Sequence, residues 1–306
     1  MTSLHPIRRA IDWGELAPLR LRAREVAEGV FSGTHRSARR GTGVEFGGFR
    51  QYVPGDDLRW LDRRSLLRHD RLVVRQFETE TDRSVALVVD ASASMAFRSA
   101  AAPGAKLAFA AVVGAALARV ALASGDPASL GFIGGDQHGR PVARAGGREQ
   151  FERIVEALEA VRPGGDAQED PTLAARAFQW VSRTTRRGAI VVVLSDLIDL
   201  PADAAEKTAE LASSGRVCAV VQVLDPAEVE FPYRGTVRLR ALEGTAVVET
   251  DADVTRERYL ASLAALTRTW HQALTARGGR LLRVTTAEDP VQVVRKVVQS
   301  VALRAC

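Results

Sequence analysis

Val85-Ala86-Leu87-Val88-Val89-Asp90-Ala91-Ser92-Ala93-Ser94 is the stretch that decides how this chain is read. Five apolar residues in a row, bounded by polar ones, suit a strand buried on both faces of a sheet. Asp90, Ser92 and Ser94 then follow at two-residue spacing, where the strand gives way to a loop. A carboxylate and two hydroxyls on one side of an extended turn are hard oxygen donors that suit a small divalent cation such as Mg²⁺. No Gly-rich phosphate loop accompanies them. The stretch therefore reads as a metal platform rather than a nucleotide cradle.

Outward from it, strand-like and helix-like runs alternate, which predicts α/β architecture: a doubly wound, mostly parallel sheet with helices on both faces. The strands are expected at Ser84–Val89, Ser129–Ile133, Ile190–Leu194, Val217–Val223 and Arg280–Val284, with a short edge strand at Pro141–Ala143. The helices are expected at Lys106–Ser124, Gln150–Val161, Thr172–Arg183, Ala202–Ser213, Arg256–Arg277 and Pro290–Leu303. Lys106–Ser124 is apolar nearly all round, so it should be buried on most sides. Val237–Leu242 and Thr245–Thr250, joined by Glu243-Gly244, form a plausible hairpin insertion near 226–252. The chain divides near residue 80. Residues 1–80 read as an irregular, highly charged segment, and 81–306 as the α/β domain.

Ligands in open α/β sheets gather beyond the carboxyl ends of the strands. Asp90 stands at one such end, and Asp196 follows Ile190-Val191-Val192-Val193-Leu194-Ser195 at another. If those two strands are neighbours, the carboxylates converge on one crevice. Thr172, after Gly164-Gly165-Asp166-Ala167-Gln168-Glu169-Asp170-Pro171, offers a further hydroxyl, or equally a helix cap. With neutral serines in the shell, a bound ion keeps Lewis acidity and seeks another anion. An Asp or Glu from a protein partner suits that role.

The composition fits a soluble globular protein: 306 residues, 46% hydrophobic and 26% charged. The net charge is +5 and all but three of the basic residues are Arg. Acidic residues are interleaved and no aromatic-studded basic stripe is present. Arg8, Arg9, Arg36, Arg39 and Arg40 read as a solvated tail, and nucleic acid is not expected as a partner. Cys218 lies in an apolar run and Cys306 ends the sequence, so no disulfide framework is expected and a reducing compartment fits. The start, MTSLHPIRRAIDWG, lacks the apolar core of a signal peptide. The longest apolar stretch, Leu107 to Ala123, falls short of the ~20 residues of a membrane span. A cytoplasmic protein without an integral membrane segment is the resulting expectation.

Asp90-Ala91-Ser92-Ala93-Ser94, Thr172 and Ser195-Asp196 resemble the metal-ion-dependent adhesion site of von Willebrand factor A domains. The upstream stretches Gly43-Val44-Glu45-Phe46, Arg50-Gln51-Tyr52-Val53-Pro54-Gly55-Asp56-Asp57-Leu58-Arg59 and Val73-Val74-Arg75-Gln76-Phe77-Glu78 narrow the likeness. They resemble domain-of-unknown-function family fifty-eight, bacterial proteins with a von Willebrand A-like domain often encoded beside MoxR-type AAA+ ATPases. This resemblance spans roughly residues 40 to 225. It implies metal ligands at Asp90, Ser92, Ser94, Thr172 and Asp196, with Ser195 where the adhesion site commonly has Thr. An acidic insert, Asp166 to Asp170, separates Gly165 from Thr172, so Asp170 competes with Thr172 for the middle-loop position.

The function expected is that of a non-enzymatic interaction module. It holds Mg²⁺, Mn²⁺ or Ca²⁺ and presents it to an acidic residue of a partner. The resemblance implies a MoxR-type AAA+ ATPase and protein maturation or remodelling. The alternative is a Mg²⁺-dependent phosphohydrolase with Asp90 as nucleophile. Against it, Ser92 stands where a second carboxylate would serve as acid/base. Lys106, Lys207 and Lys296, the three lysines, occupy no evident phosphate-binding position.

Overall fold

The apolar run at 85–89 lies in the middle of a six-stranded sheet. The structure, a computed structural model, describes residues 11–32, 45–51, 73–78, 83–136, 140–167, 169–198, 200–240 and 247–302. Pro54-Gly55-Asp56-Asp57, Glu243-Gly244, Cys306 and the arginines at 8, 9, 36, 39 and 40 lie outside these residues. In chain order the elements are α1 (Leu19–Ser32), β1 (Glu45–Gln51), β2 (Val73–Glu78), β3 (Val85–Ala91), α2 (Lys106–Ala123), β4 (Ala128–Gly134) and β5 (Val142–Ala145). Next come α3 (Arg148–Ala160), α4 (Thr172–Thr184), β6 (Ile190–Ser195), α5 (Ala204–Ser213), β7 (Val217–Leu224) and the short α6 (Pro226–Glu230). The chain continues through β8 (Thr236–Arg240), β9 (Val247–Asp251), α7 (Ala252–Ala276), β10 (Arg280–Thr285) and α8 (Pro290–Ala302).

The large sheet runs β10-β7-β6-β3-β4-β5. All neighbours pair parallel except β4 with β5, so the expected edge strand at 141–143 is present, displaced to Val142–Ala145. Alternation along the central strands feeds two cores. Leu87, Val89, Val192 and Leu194 face one layer, where Leu107, Phe109, Phe151, Ile154 and Val293 pack. Ala86, Val88, Val191 and Val193 face the other, with Phe178, Ala209, Trp270 and Leu274. Each of these large side chains contributes about 1.5–3 kcal/mol by leaving water. Helix α2 lies close over the sheet: a Cβ on Gly114 would stand 3.6 Å from both Val89 and Leu194. By length and composition α2 could cross a membrane, yet 78% of it is buried inside the protein.

The segment before residue 80 departs from the irregular chain expected. Leu19, Ala23, Val26, Ala27 and Val30 recur at helical spacing and are buried in α1, which joins the first core. The many Arg and Glu between them cover the opposite face and dilute the apolar signal. Strands β1 and β2 pair antiparallel, Glu45 opposite Glu78 and Gln51 opposite Val73. Two compact units result: Met1–Thr34 with Ser84–Cys306, and His35–Arg83. The division into 1–80 and 81–306 is replaced accordingly. Strands β8 and β9 pair antiparallel, as the expected hairpin requires.

Candidate functional site

Strand β3 lies between β4 and β6, and Val89 pairs with Leu194. The chain crosses from β3 to β4 on one side and later reaches β6 on the other. The carboxyl ends of β3 and β6 therefore open onto the crevice where such sheets bind ligands. Asp90 Oδ1 accepts the Ser92 backbone N–H at 2.9 Å, which turns the chain back on itself. The Ser92 and Ser94 hydroxyls then stand 3.1 Å apart. The loop is held from behind by backbone bonds: Ala93 N–H to Gly165 O at 3.1 Å and Gly164 N–H to Ala91 O at 2.9 Å. Gly134, with φ +66°, belongs to this backing. A Cβ there would meet Gly164 O at 3.0 Å and Ser92 Cα at 3.2 Å, so a side chain has no room.

From β6, Ser195 Oγ donates to Asp90 Oδ2 at 2.5 Å and accepts the Leu197 N–H at 2.9 Å. Leu197 has φ +67°, a strained conformation for a γ-branched residue, directly after Asp196. Asp196 Oδ1 accepts the Ile198 N–H at 3.0 Å. Asp196 Oδ2 accepts from the Lys106 ammonium at 2.7 Å. Lys106 opens α2 and also donates to Glu228 Oε1 at 2.5 Å. Asp90, Ser92, Ser94, Lys106, Ser195 and Asp196 are all buried.

Glu228 reaches the site from α6 through a capping box. Asp225 Oδ1 accepts the Ala227 N–H, and Glu228 Oε2 accepts the Asp225 N–H, each at 2.8 Å. The second Asp225 oxygen accepts the Ser99 N–H at 2.9 Å, which ties the loop after Ser94 to the end of β7. Burial, then repulsion from Asp196, pushes the Asp90 carboxyl up to about 6. Burial opposes the charge on Lys106, but Asp196 and Glu228 beside it raise its affinity for the proton above the ordinary value. Burial also raises Glu228, although Lys106 pulls it the other way. Burial and the nearby Glu228 push Tyr259 up to about 12.

The structure thus brings together Asp90, Ser92, Ser94, Ser195 and Asp196. Thr172 is exposed, and its hydroxyl donates to Asp170 Oδ1 at 2.6 Å. Asp170 also accepts the Thr172 N–H, and Thr172 is the first residue of α4 rather than its cap, which is Pro171. The start of α4 does border the backing loop, since a Cβ on Gly165 would lie 3.0 Å from Leu173 Cδ1. Lys106 is the residue the sequence reading missed. The signal was a lone Lys opening a helix that is apolar but for Arg119, in a chain that writes nearly all its basic residues as Arg.

The donor set suits a divalent cation in part. Two carboxylates and a hydroxyl pair are hard oxygen ligands, and burial and the Asp196 charge raise the proton affinity of Asp90. The Asp90, Ser92 and Ser94 half therefore fits, while Asp196 already shares one oxygen with an ammonium. Among the described residues no group of three or more His, Cys, Asp or Glu is placed to hold a metal. A cation site in this crevice accordingly depends on the serine hydroxyls.

Residues 48–269 match the family described as "Protein of unknown function DUF58". The chain belongs to the DUF58 family. An uncharacterized protein of Mycobacterium tuberculosis is 32% identical to it over 300 residues, 94% of this chain and 90% of that one. An uncharacterized protein of Mycobacterium bovis is equally similar. Among solved structures, BatB from Bacteroides thetaiotaomicron has a TM-score of 0.47 at 15% identity, covering 72% of this chain and 98% of that one. An aerotolerance-related membrane protein from Bacteroides fragilis has a TM-score of 0.44 at 16% identity, with the same coverage. The VWA domain of SpRpn10 has a TM-score of 0.37 at 8% identity, covering 69% of this chain and 93% of that one. The α/β fold of this DUF58 protein, a mostly parallel six-stranded sheet with helices on both faces, rests on its own strand order and crossovers.

The cytoplasmic expectation is corrected at this point. The similar Bacteroides fragilis structure is described as a membrane protein, a statement about that protein alone; the cytoplasmic expectation is withdrawn and no compartment is assigned to this chain. The buried, unpaired Cys218 carries no weight for the compartment either, since its thiol is sheltered inside the sheet.

Proposed function

We propose that this DUF58 protein is a non-enzymatic protein-interaction module that binds a divalent cation in the crevice above β3 and β6. The observation that carries the proposal is the convergence of Asp90, Ser92, Ser94 and Asp196 from neighbouring central strands into one buried oxygen-rich cluster. Asp90, Ser92 and Ser94 would hold Mg²⁺, Mn²⁺ or Ca²⁺, and Asp196 would contribute from β6. Thr172 joins them if its hydroxyl exchanges Asp170 for the ion. When bound, the ion supplies an electrophilic centre for an anionic group from outside. The chain's own residues orient that centre: Ser195 steadies Asp90, and the Ile198 N–H steadies Asp196.

The anionic group proposed is an Asp or Glu of a protein partner, with a MoxR-type AAA+ ATPase as the partner suggested by the family resemblance. Purified protein mixed with the MoxR-type ATPase of the same genome tests this. Co-elution with Mg²⁺ that is lost with chelator supports the proposal. Co-elution indifferent to chelator, or none in either condition, contradicts it.

The phosphohydrolase alternative meets a specific obstacle. Both Asp90 oxygens accept hydrogen bonds, from Ser92 N–H and Ser195 Oγ, and the nearby ammonium is shared by two other carboxylates. That ammonium is thus not free to bind a phosphate. Metal-dependent turnover of a generic phosphate ester that disappears in Asp90→Asn would restore that alternative.

A further inference from the structure

Lys106 is the only lysine of three whose ammonium is buried. Its side chain is 1% exposed, against 45% for Lys207 and 52% for Lys296. An ammonium is expensive to remove from water and persists there only when paired. Lys106 is paired twice, and with carboxylates from different elements: Asp196 at the end of β6 and Glu228 on α6. Asp196 is also the carboxylate that the opposite strand end would share with a cation held by Asp90. Two positive charges on one buried carboxylate repel each other strongly.

We propose that the Lys106 ammonium is a resident competitor for the cation site, holding Asp196 in the metal-free protein and retreating onto Glu228 when a divalent cation takes Asp196. This rests on the cation reading given under Proposed function. Glu228 makes the exchange feasible. Its Oε1 already holds the ammonium at 2.5 Å, while its Oε2 stays fixed by the Asp225 N–H. Lys106 is therefore never left buried without a partner. The same exchange links the ion to α6 and, through Asp225, to the loop after Ser94. Cation affinity is thereby set below what the oxygen donors alone would give.

Titration calorimetry with MgCl2 on the full chain, wild type beside Lys106→Met, tests the competition, with thermal melts run in parallel. In chelator, Lys106→Met melts lower, because Asp196 and Glu228 lose their counter-ion. With Mg²⁺ it binds about tenfold tighter than wild type and gains more in Tm. Equal affinity in the two proteins overturns the competition while leaving the cation site standing. Binding in neither overturns both.

Should Lys106→Met fail to fold, wild-type protein with ¹⁵N-labelled lysine carries the test, since it has three ammonium groups to follow. Saturating Mg²⁺ shifts the sheltered Lys106 signal and speeds its proton exchange with water, while Lys207 and Lys296 stay put. Unchanged Lys106 exchange in protein shown by calorimetry to have bound Mg²⁺ overturns the proposal.

Discussion

Ser195 joins the two halves of the site with one hydroxyl. It donates to Asp90 Oδ2 and accepts from Leu197 N–H, and all three residues are buried. Ser195→Ala leaves an acceptor and a donor without that partner, at about 1–3 kcal/mol for each buried group. Urea denaturation should show a loss of about 2–6 kcal/mol for the two groups together; a loss below the error of the fit would mean that the bond does not hold the loops together. Asp90 adds a pH dependence to the cation-free protein. Its carboxyl is raised from 3.8 to about 6 by burial and then by Asp196. Between those values the folded protein holds a proton that the unfolded chain has released. Stability from this group therefore falls as pH rises through that window, and the cost is complete above about 6. In chelator, Asp90→Asn should flatten this part of the stability profile, and an unchanged profile would show that Asp90 does not titrate there. Of these residues, Asp90, Ser92, Ser94 and Asp196 were legible because two-residue spacing after an apolar run is a local pattern. Lys106 was not, because its partners lie 90 and 122 positions away.

At the scale of elements, the long central runs announced themselves and the charged ones did not. Strands β3, β6 and β7 are buried along nearly their whole length, so composition alone marks them. Helix α1 escaped because its buried positions are mostly Ala and Val, set among Arg and Glu, and its partners lie far along the chain. Gly131 shows what packing adds beyond pattern. In the middle of β4, its missing side chain makes room for the Trp180 ring of α4, which a Cβ would approach to 2.7 Å. Gly131→Ala should cost about 1–3 kcal/mol by overpacking and shift the tryptophan emission. Wild-type stability and emission in that variant would mean that α4 moves aside freely.

For the molecule as a whole, a hydrophobic sheet wrapped by helices on both faces was legible from the alternation of runs. Its strand order was not, since β6 reaches the side of β3 only after β4 and β5 have formed on the other. That order is what turns two separate sequence motifs into one crevice. The DUF58 chain therefore reads as a scaffold that carries an oxygen-rich cluster at its topological switch point, with a buried ammonium paired within it. Direct titration of the purified chain with Mg²⁺, wild type against Asp90→Ala, tests this most directly. Saturable one-site binding in wild type that vanishes in Asp90→Ala is the predicted result. Binding of equal strength in both, or none in wild type, would contradict it.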